Sequence, residues 1–349
     1  MVTGAASYWG HQLSRLLLDN DTTHCVIGVD QPTAVLPPDD RLDFVTADTR
    51  NPRLADLMRL EQVDTLYYLD QPAGPGRLVA GLKNLLACCA QAGVGHLIWV
   101  SSTAVYGPHP SNAAFISEDQ FPYTQDSEGI LAELIAAEQL CFTFARQQPE
   151  LRQTILRPAH IVGPTASSPL NRYLAGAAAP MLLGFDPLLQ LLHEQDLLLA
   201  LRHALDAEPI TAVSAQIPPN LHHINIAAEG LLPLTRLLSL THTLPLPLLH
   251  PLAYWGSRLL RATPWQPADI LPYGWDFLRY RCVGATERQT AWGFAPQHSS
   301  LDAVSDLAAH KQGQTRGTAV SHLAQDEQRL QQTVKQRQQT RATRSTAHE

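Results

Sequence analysis

Lysine is scarce in this sequence, which has 25 Lys and Arg residues but lysine only at positions 83, 311 and 335. The interval between Lys83 and Lys311 therefore contains no side-chain ammonium group. Arginine does not replace a catalytic lysine, because the guanidinium stays charged and has a different reach and geometry. Residues 84–310 therefore cannot supply the lysine of a lysine-dependent catalytic mechanism.

Disulfide and metal-binding patterns are also missing. The five cysteines include no Cys-x-x-Cys pair, and the 15 histidines include no His-Glu-x-x-His motif. The sequence therefore suggests neither a disulfide framework nor a zinc site, and no metal is expected. The formal net charge of −7 gives no overall attraction for nucleic acid, so nucleic acid is not an expected partner.

Long apolar runs and a secretory signal are absent as well. The most apolar stretch, 174–192, is interrupted by Pro180, Asp186 and Pro187 and falls short of a membrane span. The chain begins MVTGAAS, without a basic segment followed by an apolar one. These features predict a cytoplasmic protein without a transmembrane segment. A position at the periphery of a membrane assembly stays open.

Short apolar runs alternate with helical stretches over the first 165 residues, the pattern of βαβ units on a parallel sheet. We predict a Rossmann-type doubly wound α/β domain over residues 1–165. A smaller substrate-type lobe, interleaved with the sheet, is predicted over 166–305. A polar Gln/Arg-rich tail, flexible or bound to a partner, is predicted over 306–349.

The strongest local motif is TGAASYWG at residues 3–10, between a predicted strand and a predicted helix. Gly4 and Gly10 permit a tight turn there, so that backbone N–H groups at the helix N-terminus can approach a pyrophosphate. Asp30 follows the next predicted strand, where a carboxylate binds a ribose 2′-hydroxyl. The motif therefore indicates a dinucleotide site, with NAD rather than NADP as the ligand.

The chain resembles the extended short-chain dehydrogenase/reductase family, the NAD-dependent epimerases and dehydratases, whose loop fingerprint is TGxxGxxG. Further matching segments are WVSSTAVYG at 99–107, LRP at 156–158 and HEQD at 193–196. The likeness covers about residues 2–305 and is nearest to the UDP-glucose-epimerase-like subgroup. It implies an NAD cofactor, and it assigns cofactor-binding roles to Gly4, Ser7, Gly10, Asp30, Asp48 and Arg157.

Two departures from the family pattern put activity in doubt. Ser7 stands at the middle glycine position of the loop, so either dinucleotide binding is retained or the cleft is empty and the glycines serve only the turn. The Tyr-x-x-x-Lys pair of active members is incomplete in both alignment registers. One register places Ile130 and Leu134 at the two positions, and the other retains Tyr123 but has Ser127 instead of lysine.

The catalytic candidates that remain are Ser102, Thr103 and Tyr123. Without the lysine, we expect a catalytically impaired nucleotide-binding protein, or a structural or accessory subunit of a larger assembly. The alternative is an NAD-dependent epimerase or dehydrogenase acting on a sugar nucleotide or a lipid-linked substrate. Protein partners would bind through the Leu/Pro-rich segment 231–260 and the tail 311–349, which we expect to become helical only within an assembly.

Overall fold

The computed structural model describes residues 1–20, 23, 25–31, 42–70, 75–122, 129–209, 216–254 and 273–313. Tyr123, Ser127 and the tail beyond residue 313 lie outside the described residues. So does the part of the predicted partner segment from residue 255 to residue 260.

A seven-stranded parallel sheet forms the centre of the molecule. Its strands are β1 (Val2–Thr3), β2 (Ile27–Asp30), β3 (Asp43–Thr46), β4 (Thr65–Tyr68), β5 (His96–Val100), β6 (Arg152–Pro158) and β10 (Leu221–Ile226). They lie side by side in the order β10-β6-β5-β4-β1-β2-β3. The strand order therefore reverses between β1 and β4, and open α/β sheets bind ligands at the carboxyl ends of the strands at such a point.

Helices cover both faces of this sheet. They are α1 (Tyr8–Leu18), α2 (Leu54–Leu60), α3 (Arg77–Ala92), α4 (Gly129–Gln147) and α6 (Glu194–Asp206). In β4, Leu66 and Tyr68 pack into the core formed with α2, α3 and α4, whereas Tyr67 packs on the opposite face with α1 and α6. A parallel sheet buried on both faces explains the nearly continuous apolar strands, and it confirms the predicted doubly wound Rossmann fold.

The smaller lobe has its own core. It contains a three-stranded sheet of β7 (His160–Val162), β9 (Leu188–His193) and β11 (Leu231–Pro233), and a pair formed by β8 (Ala178–Leu182) and β12 (Leu244–Leu248). Helices α5 (Pro169–Ala175) and α7 (Leu234–Leu240) pack around the same core. The chain leaves the central sheet after β6, and β7 and β9 pair in the smaller lobe. It then returns to the central sheet, where β10 pairs with β6.

The last described residues, 300–313, are helical and belong to the smaller lobe. Val304 and Leu307 are buried in its core, and the Lys311 ammonium group donates to the carbonyls of Leu174 at 3.1 Å and Gly176 at 2.7 Å. The predicted boundary at residue 306 therefore falls inside a packed helix. No helix among the described residues is long and apolar enough to cross a bilayer.

The described part of segment 231–260 carries exposed leucines. Leu244, Leu246 and Leu248 are exposed on β12, and Leu249 and Leu252 continue the apolar surface. Scattered exposed leucines are ordinary, but a contiguous group is typical of an interaction surface. Its role as a partner surface remains a prediction.

A buried ion pair joins α4 to the central sheet. Arg157 in β6 and Glu138 in α4 have side chains only 1% exposed, and the guanidinium bonds both carboxylate oxygens. The same guanidinium donates to the Tyr106 hydroxyl at 2.8 Å and to the Glu118 carbonyl at 3.1 Å. Burial opposes the charge on Arg157, but Glu138 and Tyr106 together raise the pKa of the guanidinium above its ordinary value.

Replacing Glu138 by alanine should lower the free energy of unfolding by about 3–5 kcal/mol, because it leaves the Arg157 charge buried without a counter-ion. Chemical denaturation of the full chain measures this loss. The matched control is Arg59→Ala, which removes an exposed ion pair with Asp56 and a hydrogen bond to the Gln91 carbonyl and should lower stability by no more than about 1 kcal/mol. Equal stabilities of the Glu138→Ala and wild-type proteins would contradict the structural role of the pair.

Candidate functional site

The turn between β1 and α1 has no room for side chains at either glycine. Gly4 has a φ of +65°, and a Cβ there would lie 2.6 Å from the Leu69 carbonyl oxygen. A Cβ on Gly10 would lie 2.1 Å from the Gly4 carbonyl oxygen. Both positions therefore require glycine, and the loop is held against the residues that follow β4.

Ser7 caps the helix that begins at this loop. Its hydroxyl accepts a hydrogen bond from the Gly10 N–H at 3.1 Å, which satisfies one of the free N–H groups in the first turn of α1. Asp30 also binds the loop, because one carboxylate oxygen accepts from the Ala6 N–H at 2.8 Å and the other accepts from the Gln31 N–H at 2.7 Å. The structure thus brings Gly4, Ser7, Gly10 and Asp30 together.

Two more carboxylates lie near this edge of the sheet. Asp48 is paired with the Arg50 guanidinium, whose hydrogen bonds lower the pKa of the carboxyl to about 2. Asp70 follows β4, and its carboxylate accepts from the Thr49 hydroxyl at 2.7 Å. Burial and the charges of Asp30 and Asp48 raise the pKa of Asp70 to about 6, although the Thr49 hydrogen bond opposes this. The Asp70 carboxyl is therefore mostly ionised at neutral pH. It lies beside the turn at Gly4.

Strand β5, which is followed by the serine motif, pairs with β4 in the central sheet. Ser102 caps a 3-10 turn at Thr103–Tyr106, and its hydroxyl accepts from the Ala104 N–H at 3.1 Å. Thr103 is the first residue of the turn and is buried, and its carbonyl accepts a hydrogen bond from the Cys282 thiol at 3.2 Å. Tyr123, the third catalytic candidate, lies outside the described residues.

Helix α4 offers no proton carrier in the register that places the family pair at positions 130 and 134. The other register uses Tyr123 and Ser127, which lie outside the described residues. Ile130 is 47% exposed, and Leu134 is 7% exposed and packs in the core beneath the helix. Neither side chain ionises or donates a hydrogen bond. A lysine at position 134 would have to enter that apolar core.

The Arg157 side chain bonds to other residues of the protein framework and, among the described residues, makes no hydrogen bond with the glycine turn. Its guanidinium is buried and bonds to Glu138, Tyr106 and Glu118. These contacts hold helix α4 on the sheet. The described structure therefore places Arg157 in the framework of the site, while the resemblance assigned it a contact with the cofactor.

The loop keeps the backbone form of a dinucleotide-binding turn, because Gly4 and Gly10 let it pack against Leu69 and against itself at the start of α1. Asp30 lies at the end of β2, where its carboxylate accepts from the Ala6 N–H. The Ser7 cap and the Asp70 charge work against a diphosphate, because one occupies an N–H group and the other repels phosphate oxygens. Among the described residues, no cluster of three or more possible metal ligands occurs.

The chain belongs to the NAD dependent epimerase/dehydratase family, whose model matches residues 1–211. An uncharacterized protein of Mycobacterium tuberculosis is 30% identical over 324 residues, covering 88% of this chain and 82% of that protein. The resemblance inferred from the loop and the serine strand is thereby confirmed.

Solved structures show the same fold at low sequence identity. A UDP-glucose 4-epimerase from Thermotoga maritima, solved with UDP-glucose, has a TM-score of 0.65 and 15% identity, covering 90% of this chain and 98% of that chain. A dTDP-glucose 4,6-dehydratase from Bacillus anthracis, solved with NAD, has a TM-score of 0.64 and 14% identity, covering 89% and 96%. Identities this low support the fold alone.

Sequence reasoning did not assign Asp70 to the site. The sequence did contain a pointer to it, because Asp70 stands where the family usually has a small apolar residue. Glu138 and Tyr106 were also missed, since their importance depends on contacts with Arg157 across the fold.

The first site prediction concerns Asp70. Asp70→Asn should tighten NAD binding about tenfold at pH 7, because it removes a charge that repels the diphosphate. In the wild type, NAD should bind more tightly as the pH falls through about 6, where Asp70 becomes protonated. Isothermal titration calorimetry at pH 5.5 and 7.5 measures both effects.

The matched control for this experiment is Asp56→Asn, which removes an exposed acid from α2. It should leave NAD affinity and its pH dependence unchanged. An Asp70→Asn protein with wild-type affinity at both pH values would show that Asp70 does not face the diphosphate.

The second site prediction concerns the choice of dinucleotide. Asp30 lies at the end of β2 with its carboxylate ordered by the Ala6 and Gln31 N–H groups. A carboxylate in this position accepts from a 2′-hydroxyl and repels a 2′-phosphate. NAD should therefore bind more tightly than NADP in parallel titrations, and tighter binding of NADP would refute the role assigned to Asp30.

Proposed function

We propose that this protein binds NAD in its Rossmann cleft but lacks the proton chemistry of active epimerases and dehydratases. The observation that carries the proposal is the lack of a lysine in both alignment registers, because the lysine position falls on the buried Leu134 in one register and on Ser127 in the other. The protein is then a catalytically impaired nucleotide-binding protein, or an accessory subunit of a larger assembly.

In active family members, lysine lowers the pKa of the tyrosine, which exchanges a proton with the substrate hydroxyl. Bound NAD would supply a hydride acceptor, but the accompanying proton would still need a base. In this chain Gly4, Gly10 and Asp30 would hold the dinucleotide, and Ser102 would offer a neutral hydroxyl. None of these side chains is a base of the required strength at neutral pH.

The exposed leucines of β12 support the accessory role. Leu244, Leu246 and Leu248 form one exposed edge of the smaller lobe within the described residues. Stoichiometric recovery of other chains with this protein from its native source would support a subunit role. Recovery of the protein alone would favour a free nucleotide-binding protein.

A second candidate function is an NAD-dependent enzyme acting on a sugar nucleotide. Retention of Ser102 at the carboxyl end of β5 favours it, as does the likeness to structures solved with UDP-glucose and with NAD. This function needs a proton carrier outside α4.

Turnover separates the two functions. With saturating NAD and UDP-glucose, we expect a rate at least about 100-fold below a typical enzyme rate of roughly 10 per second, because the acid-base pair is absent. Chromatographic analysis of the sugar nucleotide measures the rate. A rate near 10 per second would refute the impaired-enzyme proposal.

Two variants test the reason for the low rate. Leu134→Lys should lower the free energy of unfolding by about 3 kcal/mol or more, since it buries an unpaired charge, and should not create activity. Ile130→Tyr, at an exposed position, should be tolerated and serves as the control. Full activity in the combined variant would show that the site is intact apart from these two residues.

A further inference from the structure

A cavity of about 190 Å³ lies between helix α4 and strand β10, on the face of the central sheet that α4 covers. Phe142 lines it from α4, His223 lines it from β10, and Phe121 and Ile217 add apolar surface. Apolar cavities of roughly 150 Å³ hold benzene, so this one has room for an aromatic ring with a short chain. The described residues that line it include no part of the glycine turn or of the serine motif at 99–107, so the cavity is distinct from the dinucleotide site.

Two aromatic rings form the apolar part of the cavity. The rings of Phe121 and Phe142 pack edge to face, with a centroid separation of 5.4 Å and an interplanar angle of 80°. Phe121 is 51% exposed, so its ring has surface that a bound molecule can cover. The face of a phenyl ring attracts cations. The Arg146 guanidinium lies 4.5 Å from the Phe142 centroid, but Arg146 is exposed and solvent screens its charge.

Three carboxyl groups and one guanidinium also line the cavity. The guanidinium is that of Arg157, which binds Glu138 in the buried ion pair. A second arginine from outside the cavity lining, Arg288, donates to Asp119 at 2.8 Å. Each of these two carboxyl groups therefore has its own cation, and Glu118 is the third.

Glu118 is only 4% exposed. One of its carboxylate oxygens accepts from the Asn225 N–H at 3.2 Å. The other lies 3.9 Å from the Arg288 Nε atom, which is beyond hydrogen-bond distance. Burial raises the pKa of Glu118, although backbone N–H groups and the nearby arginines oppose this. A ligand that brings a positive charge to this carboxyl group would stabilise its ionised form.

His223 is a second buried polar group with unused hydrogen-bonding capacity. Its side chain lines the cavity and the residue is 6% exposed. The Nδ1 atom has no hydrogen-bond partner among the described residues, and Nε2 lies 3.8 Å from a Glu138 carboxylate oxygen. Burial and the charges of Arg157 and Arg288 lower the pKa of His223, so the imidazole is neutral at pH 7. A neutral imidazole has one nitrogen that accepts a hydrogen bond, so it suits a ligand that donates one.

We propose that this cavity binds an apolar amine. The apolar part of the amine packs against Phe121 and Phe142. The ammonium group donates to the Glu118 carboxylate and to the His223 imidazole. A carboxylate ligand is disfavoured, because the cavity already holds more carboxyl groups than guanidinium groups. The proposal does not depend on NAD binding or on turnover, since the two sites share no described residue.

Calorimetric titration of the full chain with three probes of similar size tests the site. The probes are 2-phenylethylamine, 2-phenylethanol and 3-phenylpropionate. At pH 7 the amine should bind about tenfold more tightly than the alcohol, as expected for a charge-assisted hydrogen bond, and the carboxylate should bind most weakly. No binding of the amine, equal affinity for all three probes, or a preference for the carboxylate would overturn the proposal.

Glu118→Gln tests the charge. Glutamine keeps an acceptor for the Asn225 N–H, so the fold should be retained, but the preference for the amine over the alcohol should fall by about tenfold. The matched control is Glu61→Gln, which changes an exposed acid at the end of α2 and should keep the wild-type preference. A folded Glu118→Gln protein with the full preference would refute the role of Glu118.

Phe121→Ala tests the apolar wall without touching a buried charge. Because Phe121 is half exposed, the variant should fold, and it should bind both the amine and the alcohol roughly fivefold more weakly than the wild type. Wild-type affinity in this variant would place the amine elsewhere and overturn the proposal. Saturating NAD should leave the affinity for the amine unchanged, whereas competition between the two would assign the amine to the dinucleotide cleft and refute the separate site.

Discussion

The ion pair between Arg157 and Glu138 is the interaction on which the site depends. Two opposite charges with almost no solvent exposure are tolerated only when hydrogen bonds satisfy the rest of both groups. Tyr106, the Glu118 carbonyl and Ser101 supply those bonds. The network ties α4 to strands β5 and β6 where the chain leaves the sheet. It therefore sets the position of the serine strand and of the helix that faces it.

The edge of the sheet at the glycine turn combines the loop backbone typical of the family with a nearby carboxylate, Asp70. Glycines at positions 4 and 10 allow the turn to pack against Leu69 and against the start of α1. Asp70 lies next to that turn because β4 is the neighbour of β1 at the point where the strand order reverses. A dinucleotide bound at this turn would therefore lie beside a carboxyl group that repels its phosphates.

The serine edge of the sheet keeps its hydroxyl groups, but helix α4 carries no lysine. In the register that places the family lysine at position 134, the helix has the buried Leu134 there, which stabilises the core. The Ser102 hydroxyl is held independently of that helix, because it accepts a hydrogen bond from the Ala104 N–H. A hydroxyl without a neighbouring lysine binds a polar group more readily than it removes a proton from it.

Much of the fold could be predicted from the sequence, because strands and helices follow from the local spacing of apolar residues. The βαβ pattern predicted over the first 165 residues is present as strands β1 to β6 and helices α1 to α4. The tight turn at Gly4 and Gly10 and the lack of a lysine opposite Ser102 are also properties of the sequence alone. Tertiary structure decided that Arg157 binds Glu138, that Asp70 lies beside Gly4, and that the Cys282 thiol meets the Thr103 carbonyl. Those juxtapositions depend on strand order and on the packing of the two lobes, which link residues far apart in the chain and leave no local spacing to detect.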